Sequence, residues 1–593
     1  MCGIAGAVRV GQQGQEIAAL GLNHLRHRGP DHLEVRDEGE ASLGAVRLAI
    51  RDRSSSAHQP FALPGGRWIV TFNGELNNHQ ELRQRFGADH NWVTESDTET
   101  IAVALERQGW TVLKELRGMY AIAAWEIETS SLVLARDFPG IKPLYYAHTE
   151  DGGHLYASEF TAILAMMRAL QQPLTVTRDT ALEYLMYRDT LLQPETLVAS
   201  IRKVEPGSIV RLQRDGRLEV EAADKLWLTH ESANLDALEG YFVRAIQETI
   251  EVDQPMGMFV SGGVDSSTVL AELVHQGAQV EALTLRYEKT GEFSFSELPF
   301  SRFVCNTLNV PLHELTLTEE RFLEVLPTAI GRQDGFSMDP TIVAYHELGR
   351  AAAEKGLRVV VTGTGSDEIF GSYEWLHTQS FAEFDEWMAS SKTRSLLAVG
   401  QDEWTSAHAW SRERRQIRFE QFQHDGLSLA DSIRMFGMFH LEADALPRVD
   451  LGTMGSSVEA RVPLLDQAFV RLALSCSPDV NKEALRKLAI DRIPPEIQKR
   501  PKCGFPHPVF FWMKHGKLAG RVQELLMSDP LGDLVDKTAV ESFFSDERSL
   551  LTSRPPLELY QTSSAMWYLY AFALWCDQNG IRVANRAATT SVR

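Results

Sequence analysis

The feature that most constrains the fold is a glycine- and serine-rich stretch that directly follows a short apolar run. The apolar run covers residues 255–260, and the stretch after it reads Ser261, Gly262, Gly263, Val264, Asp265, Ser266 and Ser267. A strand, a tight glycine turn and a helix in this order direct several backbone N–H groups, and the positive end of the helix dipole, at one point. Such a turn binds phosphate. It lacks the lysine of a Walker A loop, so transfer of a terminal phosphate is not indicated.

The length of the chain and a change of pattern along it predict two domains. The chain has 593 residues, more than one hydrophobic core usually supports. Over residues 2–220 short strands and turns predominate, which suits two strand layers with helices outside. Over residues 235–582 apolar strands alternate with helices, which predicts a doubly wound, parallel α/β sheet. Within this part, the charged residues 375–441 are predicted to form a solvated helical excursion.

Composition and charge exclude several classes of partner. The net charge of −21 disfavours nucleic acid and an anionic membrane surface. The 5 cysteines form no CxxC pair, which disfavours a disulfide framework and a zinc site. No signal peptide and no apolar run of membrane-spanning length is visible. These features predict a cytoplasmic protein that binds neither nucleic acid nor membranes, and they are compatible with a homodimer.

The N-terminus places a thiol where it has a built-in base. Removal of the initiator methionine would make Cys2 the first residue. A thiol attacks as its thiolate, and the α-amino group of the same residue, with an unperturbed pKa near 8, can take the proton. Chance alone places cysteine at this position at roughly the per-cent level, so the interpretation depends on the motifs that accompany it.

The motifs together resemble the glutamine-hydrolysing asparagine synthetase family, from Cys2 to about Trp575. Residues 25–31, 47–50, 73–75 and 96–97 occur in the order and spacing of class II glutamine amidotransferases. The glycine loop and residues 361–368, 458–466 and 500–505 resemble the ATP-pyrophosphatase domain of the same family. The resemblance implies an N-terminal-nucleophile hydrolase αββα sandwich joined to a synthetase domain. It also implies an ammonia tunnel between their sites.

The resemblance assigns roles in the first domain that agree with the chemistry of the side chains. Cys2 is the nucleophile, and the Asn73 amide with the Gly74 N–H group forms the oxyanion hole. The residues that bind glutamine are Arg47 for its carboxylate, through a forked pair, and Glu75 and Asp97 for its ammonium group, together with Asn73 and Gly74. His27 is interpreted as structural.

In the second domain the resemblance implies binding of ATP and Mg²⁺. The ATP-binding residues are Val260, Ser261, Gly262, Gly263, Asp265, Ser266, Ser267, Leu285, Thr362, Gly363 and Asp367. Asp265 and Asp367 are the Mg²⁺ ligands, since carboxylates can hold this ion against phosphates. Lys502 neutralises phosphate charge during adenylation and counts among the catalytic residues.

The chain departs from the family around the position of the acceptor. Family members usually carry glutamate where Thr364 stands, and a threonine hydroxyl is no general base near neutral pH. Glu368 and Glu459 are the candidates to replace it. Glycines of the family are replaced by Arg286 and Ser372, and an arginine there suits a second carboxylate or a phosphate on a larger acid.

These observations leave three hypotheses open. The leading one is a glutamine-dependent amide synthetase that adenylates a carboxylate, either aspartate or another small acid of specialised metabolism. The second is a cyclising enzyme related to the β-lactam synthetases, which need no glutaminase thiol. The third is a glutamine-sensing relic without synthetase activity, which the presence of Asp265, Asp367 and Lys502 disfavours.

Overall fold

The computed structural model describes residues 2–188, 192–222, 234–250, 255–289, 296–335, 338–501, 504, 507–546 and 557–584. The strands of its first half are β1 (Cys2–Val8), β2 (His32–Glu38), β3 (Ala41–Arg47), β4 (Trp68–Leu76), β5 (Gly118–Glu126), β6 (Ser131–Arg136), β7 (Tyr145–His148), β8 (His154–Ala157), β9 (Thr175–Val176), β10 (Ile201–Lys203), β11 (Ser208–Leu212) and β12 (Leu218–Ala222). The α-helices of this half are α1 (Gly14–His24), α2 (His79–Phe86), α3 (Asp97–Gln108), α4 (Phe160–Ala169) and α5 (Arg178–Tyr187).

Two antiparallel sheets face each other in this half. Their strand orders are β10-β7-β8-β1-β3-β2 and β12-β11-β6-β5-β4. The layer between them holds Ile4 and Leu43 from the first sheet and Ile69 and Trp125 from the second. Helices α1 and α4 cover the outer face of the first sheet, and α3 covers the outer face of the second. The predicted αββα sandwich is therefore confirmed.

The second half carries a parallel sheet and most of the helices. Its strands are β13 (Met256–Phe259), β14 (Val280–Tyr287), β15 (Leu312–Leu317), β16 (Val359–Val361), β17 (Glu459–Arg461) and β18 (Arg582–Val583). Its α-helices are α6 (Leu235–Thr249), α7 (Val264–His275), α8 (Leu298–Thr307), α9 (Glu319–Gly331), α10 (Ile342–Glu354), α11 (Ser366–Phe370), α12 (Phe381–Met388), α13 (Ser391–Arg394), α14 (Gln401–His424), α15 (Leu429–His440), α16 (Leu446–Met454), α17 (Gln467–Ser475), α18 (Glu483–Leu488), α19 (Pro495–Gln498), α20 (Val509–His515), α21 (Leu518–Met527), α22 (Lys537–Ser545) and α23 (Leu557–Gln578), with a π-helical turn at Leu441–Ala445 before α16.

The parallel sheet has the order β15-β14-β13-β16-β17, and its central strands are buried on both faces. In β13, Met258 packs into one hydrophobic cluster and Phe259 into another, on opposite sides of the sheet. Burial on both faces explains why this strand is continuously apolar in the sequence. The predicted doubly wound sheet is confirmed, and the glycine loop follows β13 at its carboxyl edge.

The C-terminal part of the chain returns to the first half and packs against it. Strand β18 pairs with β9 of the first half, and Trp575 of α23 packs 5.7 Å from the ring of Phe160. Helix α14, within the charged segment, also docks on the first half: Arg414 pairs with Glu183 at 3.2 Å and Arg418 with Glu205 at 2.6 Å. This differs from the solvated excursion that the charge of residues 375–441 predicts, because the ionic face of α14 meets carboxylates of the other domain. In the described part of the chain, no helix combines the length and apolarity needed to cross a bilayer.

Candidate active sites of the two domains

The thiol of Cys2 lies at the start of β1, an interior strand of the first sheet. Cys2 is 6% exposed, and its backbone nitrogen donates to the Asn73 Oδ1 atom at 3.0 Å. Because Oδ1 accepts this hydrogen bond, the Nδ2 group at the other end of the Asn73 amide points away from the Cys2 nitrogen. It is buried and has no hydrogen-bond partner among the described residues. A buried, unused N–H donor beside a thiol is suited to stabilise an oxyanion.

Gly74 follows in β4 with a conformation that favours glycine. Its φ is +153°, and a Cβ atom at this position would lie 2.0 Å from the Met119 carbonyl oxygen of the neighbouring strand β5. No side chain fits in that space. Position 74 therefore requires glycine because of its close packing on β5, and the part of its N–H group in the oxyanion hole stays a prediction.

Arg47 and Asp97 lie close enough to Cys2 to act on its thiol electrostatically. Arg47 is the register partner of Cys2 in β3, and its guanidinium donates to the Ser54 carbonyl at 2.9 Å. Asp97 is the first residue of α3 and accepts from the Leu76 nitrogen at 3.2 Å. Burial raises the pKa of the Asp97 carboxyl. These two of the five predicted glutamine-binding residues therefore lie near the thiol, and their contacts with glutamine stay a prediction.

Glu75 has two cationic partners. One of its oxygens is 2.8 Å from the Arg51 guanidinium, and the other pairs with Arg461 at the end of β17. This contact links the strand that carries Asn73 directly to the parallel sheet of the second domain. Both oxygens of Glu75 are thus engaged by arginines, one of them across the domain interface, which sequence reasoning did not foresee. The predicted contact of Glu75 with the ammonium group of glutamine stays a prediction.

Gln59 is a neighbour of the nucleophile that the sequence did not reveal. Its Nε2 atom lies 3.8 Å from the Cys2 Sγ atom, and its Oε1 atom accepts from the Phe72 nitrogen at 2.6 Å. Burial raises the pKa of the Cys2 thiol, while the backbone N–H of Leu48 hydrogen-bonds to the thiol and opposes this shift. A buried, protonated thiol needs a base before it can attack.

In the second domain the two glycine-rich segments meet at the carboxyl edge of the parallel sheet. An added Cβ at Gly363 would lie 2.9 Å from the Ser266 backbone nitrogen, so the loop after β16 touches the first turn of α7. The Ser261 hydroxyl accepts from the Gly263 nitrogen at 3.2 Å. The buried Ser267 hydroxyl has no hydrogen-bond partner in the described part of the chain. The predicted phosphate loop therefore has its donors at a helix N-terminus.

Lys482 occupies the centre of this site and was missed by sequence reasoning. Its ammonium group lies 2.7 Å from both Asp265 oxygens, 2.6 Å from Asp367 Oδ1 and 3.1 Å from the Ser366 hydroxyl. Burial alone would lower the pKa of Lys482, but the two carboxylates outweigh it and raise this pKa, so the charge is kept. Asp265 and Asp367, far apart in the chain, therefore converge on one point.

The remaining predicted residues of this site have different outcomes. Val260 and Leu285 are buried at the ends of β13 and β14, and the Thr362 nitrogen bonds the Arg461 carbonyl at 3.0 Å. Lys502 lies outside the described residues. Two carboxylates are suited to Mg²⁺, which takes few protein ligands and completes its shell with phosphates and water. The described residues contain no cluster of three or more metal-binding side chains.

The immediate neighbours of the Thr364 side chain are hydroxyl groups. Its hydroxyl accepts from Thr362 Oγ1 at 2.9 Å and interacts with the Tyr345 hydroxyl. By contrast, Arg286 is exposed and donates to Thr316 on the edge strand at 3.1 Å. Alternation along β14 turns Arg286 to the surface beside the edge strand, and its contact with the acceptor stays a prediction. Ser372 donates its hydroxyl hydrogen bond to Asp367.

The first domain has a buried thiol beside an unused amide donor, and the second has a phosphate loop with paired carboxylates and a lysine. Together these two sites define a glutamine amidotransferase domain joined to a synthetase domain. Residues 1–222 match the model of the glutamine amidotransferase domain, and residues 237–577 match that of asparagine synthase. The second match covers more than half of the chain, so the protein belongs to the asparagine synthase family. Enzymes of this family use ATP.

Three relatives illustrate the range of the family. A putative glutamine-hydrolysing asparagine synthetase of Mycobacterium tuberculosis is 26% identical over 97% of this chain and 97% of its own length. Asparagine synthetase B of Escherichia coli is 28% identical over 86% of this chain and 83% of its own length. The amidase chyE of Penicillium rubens is 27% identical over 61% of this chain and 56% of its own length.

Proposed function

We propose that the protein makes an amide from a carboxylic acid, with glutamine as the nitrogen donor and conversion of ATP to AMP and pyrophosphate as the driving reaction. The observation that carries this proposal is the convergence of Asp265, Asp367 and Lys482 beside the glycine loop. A permanently charged lysine between two carboxylates suits a leaving pyrophosphate bound with Mg²⁺. The buried thiol of the first domain supplies the ammonia.

In the first site, the Cys2 sulfur attacks the side-chain carbonyl carbon of glutamine. Burial disfavours the thiolate, so the α-amino group that methionine removal exposes takes the thiol proton. The Asn73 Nδ2 and Gly74 N–H groups stabilise the tetrahedral oxyanion. Its collapse breaks the carbon–nitrogen bond, the leaving nitrogen takes the proton, and ammonia departs. Water then hydrolyses the γ-glutamyl thioester to glutamate.

Asn73→Asp tests the oxyanion hole with an almost isosteric change. The Oδ1 acceptor for the Cys2 nitrogen is kept, but the N–H donor becomes an acceptor. We expect glutamate formation from glutamine to fall about 10²- to 10³-fold, as for the loss of one oxyanion donor. Ammonia-driven amide synthesis serves as the control and should stay within about twofold. A variant that kept a third of its glutaminase rate would exclude Asn73 from this role.

In the second site, the acceptor carboxylate attacks the α-phosphate of ATP and pyrophosphate leaves. Mg²⁺ held by Asp265 and Asp367 would supply positive charge to the phosphates. Lys482 adds a fixed positive charge at the same point, and the N–H groups of the loop orient the phosphates. Lys502 is proposed to neutralise phosphate charge in the same step. Ammonia then attacks the acyl-adenylate and AMP leaves.

An interdomain cavity supports transfer of ammonia between the sites. It has a volume of about 40 Å³ and is lined by Met119 and Ile141 of the first domain and by Val462 and Leu465 of the second. A volume of roughly 15 Å³ suffices for one water molecule, so ammonia fits. The rest of the lining is largely polar and includes Glu75, Glu248, Arg461 and Asp466. Ammonia must cross this mixed lining unprotonated, because neutral ammonia is the nucleophile.

Of the two candidates to replace the family's glutamate, Glu368 is the better base. Burial and the neighbouring Asp367 raise the pKa of Glu368. Burial also acts to raise the pKa of Glu459, but nearby positive charges, Arg461 among them, lower it to about 2. A carboxylate with so low a pKa is a poor proton acceptor. We therefore assign proton removal from the attacking ammonia to Glu368.

The acceptor is proposed to be aspartate or another small carboxylic acid, with Thr364 as the reason to test beyond aspartate. The experiment is a screen of carboxylic acids for glutamine-dependent formation of AMP and pyrophosphate. At least one acid should give AMP, amide and glutamate in equal amounts. Pyrophosphate without consumption of glutamine would instead indicate a cyclising enzyme. No pyrophosphate with any acid would indicate a relic and contradict the proposal.

A further inference from the structure

A buried chain of charged groups connects the backbone of the nucleophile to the second domain. The guanidinium of Arg28 is fully buried; its Nε atom donates to the Cys2 carbonyl oxygen at 3.1 Å. Its Nη1 atom donates to Glu159 at 2.8 Å. Its Nη2 atom lies 2.8 Å from Oδ2 of Asp450, which belongs to α16 of the second domain. The residue that holds the Cys2 carbonyl is thus itself held from the other domain.

Asp450 is the partner of Arg28 in the second domain, and its burial strengthens this contact. Asp450 is 3% exposed and its second oxygen lies 3.3 Å from the ammonium group of Lys142. Water does not screen charges at this depth, so the position of the Arg28 guanidinium depends on its carboxylate partners. Removal of one partner of a buried pair leaves a charge without compensation and shifts the group that remains.

The same helix borders the surroundings of Thr364. Arg448, two residues before Asp450, donates to the Thr341 hydroxyl at 2.6 Å and lies 3.1 Å from Asp339. Helix α16 also packs closely on α10: an added Cβ at Gly452 would lie 2.7 Å from Tyr345 Cβ. Tyr345 is the residue whose hydroxyl interacts with Thr364. One short, closely packed helix therefore touches the acceptor region and, through Arg28, the nucleophile.

We propose that Asp450 is a positioning residue for the nucleophile: from the second domain it fixes Arg28, and Arg28 fixes the carbonyl of Cys2. The glutaminase site is then complete only when the domain that consumes its ammonia is seated against it. This inference rests on the proposed function, because it concerns the attack of Cys2 on glutamine. The Cys2 backbone carries both the sulfur and the α-amino base, and a misplacement of about 1 Å costs roughly 10²-fold in rate.

The test is Asp450→Asn in the full-length protein, assayed for glutamate formation from glutamine alone, without acceptor or ATP. We expect kcat to fall at least tenfold, because the Arg28–Cys2 contact loosens. KM for glutamine should change less than threefold, because Arg47 and Asp97 make no contact with Arg28 or Asp450 among the hydrogen bonds and ion pairs of the described residues. Amide hydrogen exchange of the peptide covering residues 2–8 should accelerate at least fivefold.

Two further variants separate positioning from a general weakening of the interface. Arg28→Lys keeps the positive charge but loses the forked donor set, and it should repeat the kcat loss of Asp450→Asn. Glu183→Gln is the matched control: this buried carboxylate accepts interdomain bonds from Ser411 at 2.6 Å and Arg414 at 3.2 Å. It has no hydrogen bond or ion pair with Cys2, Arg28 or Asp450 among the described residues. It should lower Tm while kcat and exchange of residues 2–8 stay within twofold of the parent.

The outcomes distinguish this inference from the proposed function. If Asp450→Asn keeps kcat and the exchange of residues 2–8 within twofold of the parent, Asp450 positions nothing. If Glu183→Gln loses as much as Asp450→Asn, the effect belongs to the interface as a whole and the inference is overturned. If the parent protein forms no glutamate at all, the proposed function fails, and the exchange measurement alone then decides whether Asp450 holds the start of β1.

Discussion

Replacement of Cys2 by alanine is expected to lower the rate of amide formation from glutamine by roughly 10⁴-fold or more, as for loss of a catalytic nucleophile. Amide formation from ammonium chloride should stay within about twofold of the parent rate. The reason is the separation of the two sites. In the proposed mechanism the thiol acts in the αββα sandwich, whereas the phosphate loop, Asp367 and Lys482 lie at the edge of the parallel sheet and activate the acceptor whatever the source of ammonia.

The measurement follows glutamate, amide and AMP in parallel with each nitrogen donor. Alanine is small enough for removal of the initiator methionine to continue, so Cys2→Ala removes only the sulfur, and intact mass verifies the N-terminus. A Cys2→Ala protein that still used glutamine as its sole nitrogen source would disprove the thiol mechanism. Loss of the ammonia-driven reaction as well would mean that the two sites are not separable.

Replacement of Lys482 by alanine is expected to lower AMP and pyrophosphate formation by about 10³-fold, with either nitrogen donor. Lys482 is the buried charge between the half-buried carboxylates of Asp265 and Asp367, and without it these carboxylates repel each other and the leaving pyrophosphate. Glutamate formation from glutamine alone should persist within about threefold. This pattern is the reverse of that expected for Cys2→Ala.

Two controls sharpen the Lys482 result. Lys487→Ala removes a lysine of the following helix whose side chain is 48% exposed and pairs only with Glu483 at 3.3 Å in the described ion pairs; it should have the parent rate. Lys482→Arg keeps the charge in a wider, planar group and should recover part of the activity. Full activity of Lys482→Ala would show that Lys482 has no part in the reaction, and Lys502 would then be the residue that neutralises phosphate charge.

Much of the architecture could be predicted from the sequence because the relevant signals are local. The apolar run that becomes β13 is followed by glycines, and burial on both faces of a parallel sheet makes such a run continuous. The helix after the loop begins at Val264, directly after the second glycine. Alternating strands in the first half indicated two layers, and the sandwich has them.

The sequence predicted more of the first site than of the second. Cys2, Asn73 and Gly74 stand in short strings that resemble those of class II glutamine amidotransferases, and this resemblance predicted the proximity of Cys2 and Asn73 that the structure shows. Lys482 lies 115 positions after Asp367, and no sequence motif around it indicates a phosphate site. It is the residue before α18 and has a positive φ, a conformation that its residue type does not predict. The outward direction of Arg286 likewise depends on which face of β14 meets the core.

By itself, the sequence determined the fold class and the strand–loop–helix of the phosphate loop, because each depends on residue types at fixed short spacings, and the family resemblance of its motifs predicted the nucleophile. Only the tertiary structure decided how the domains are joined: Arg28 to Asp450, Glu75 to Arg461, and α14 to the first domain. The physical reason is that these are buried ion pairs between residues hundreds of positions apart. Charge and spacing along a chain carry no information about which opposite charge is brought within about 3 Å when both lose their water.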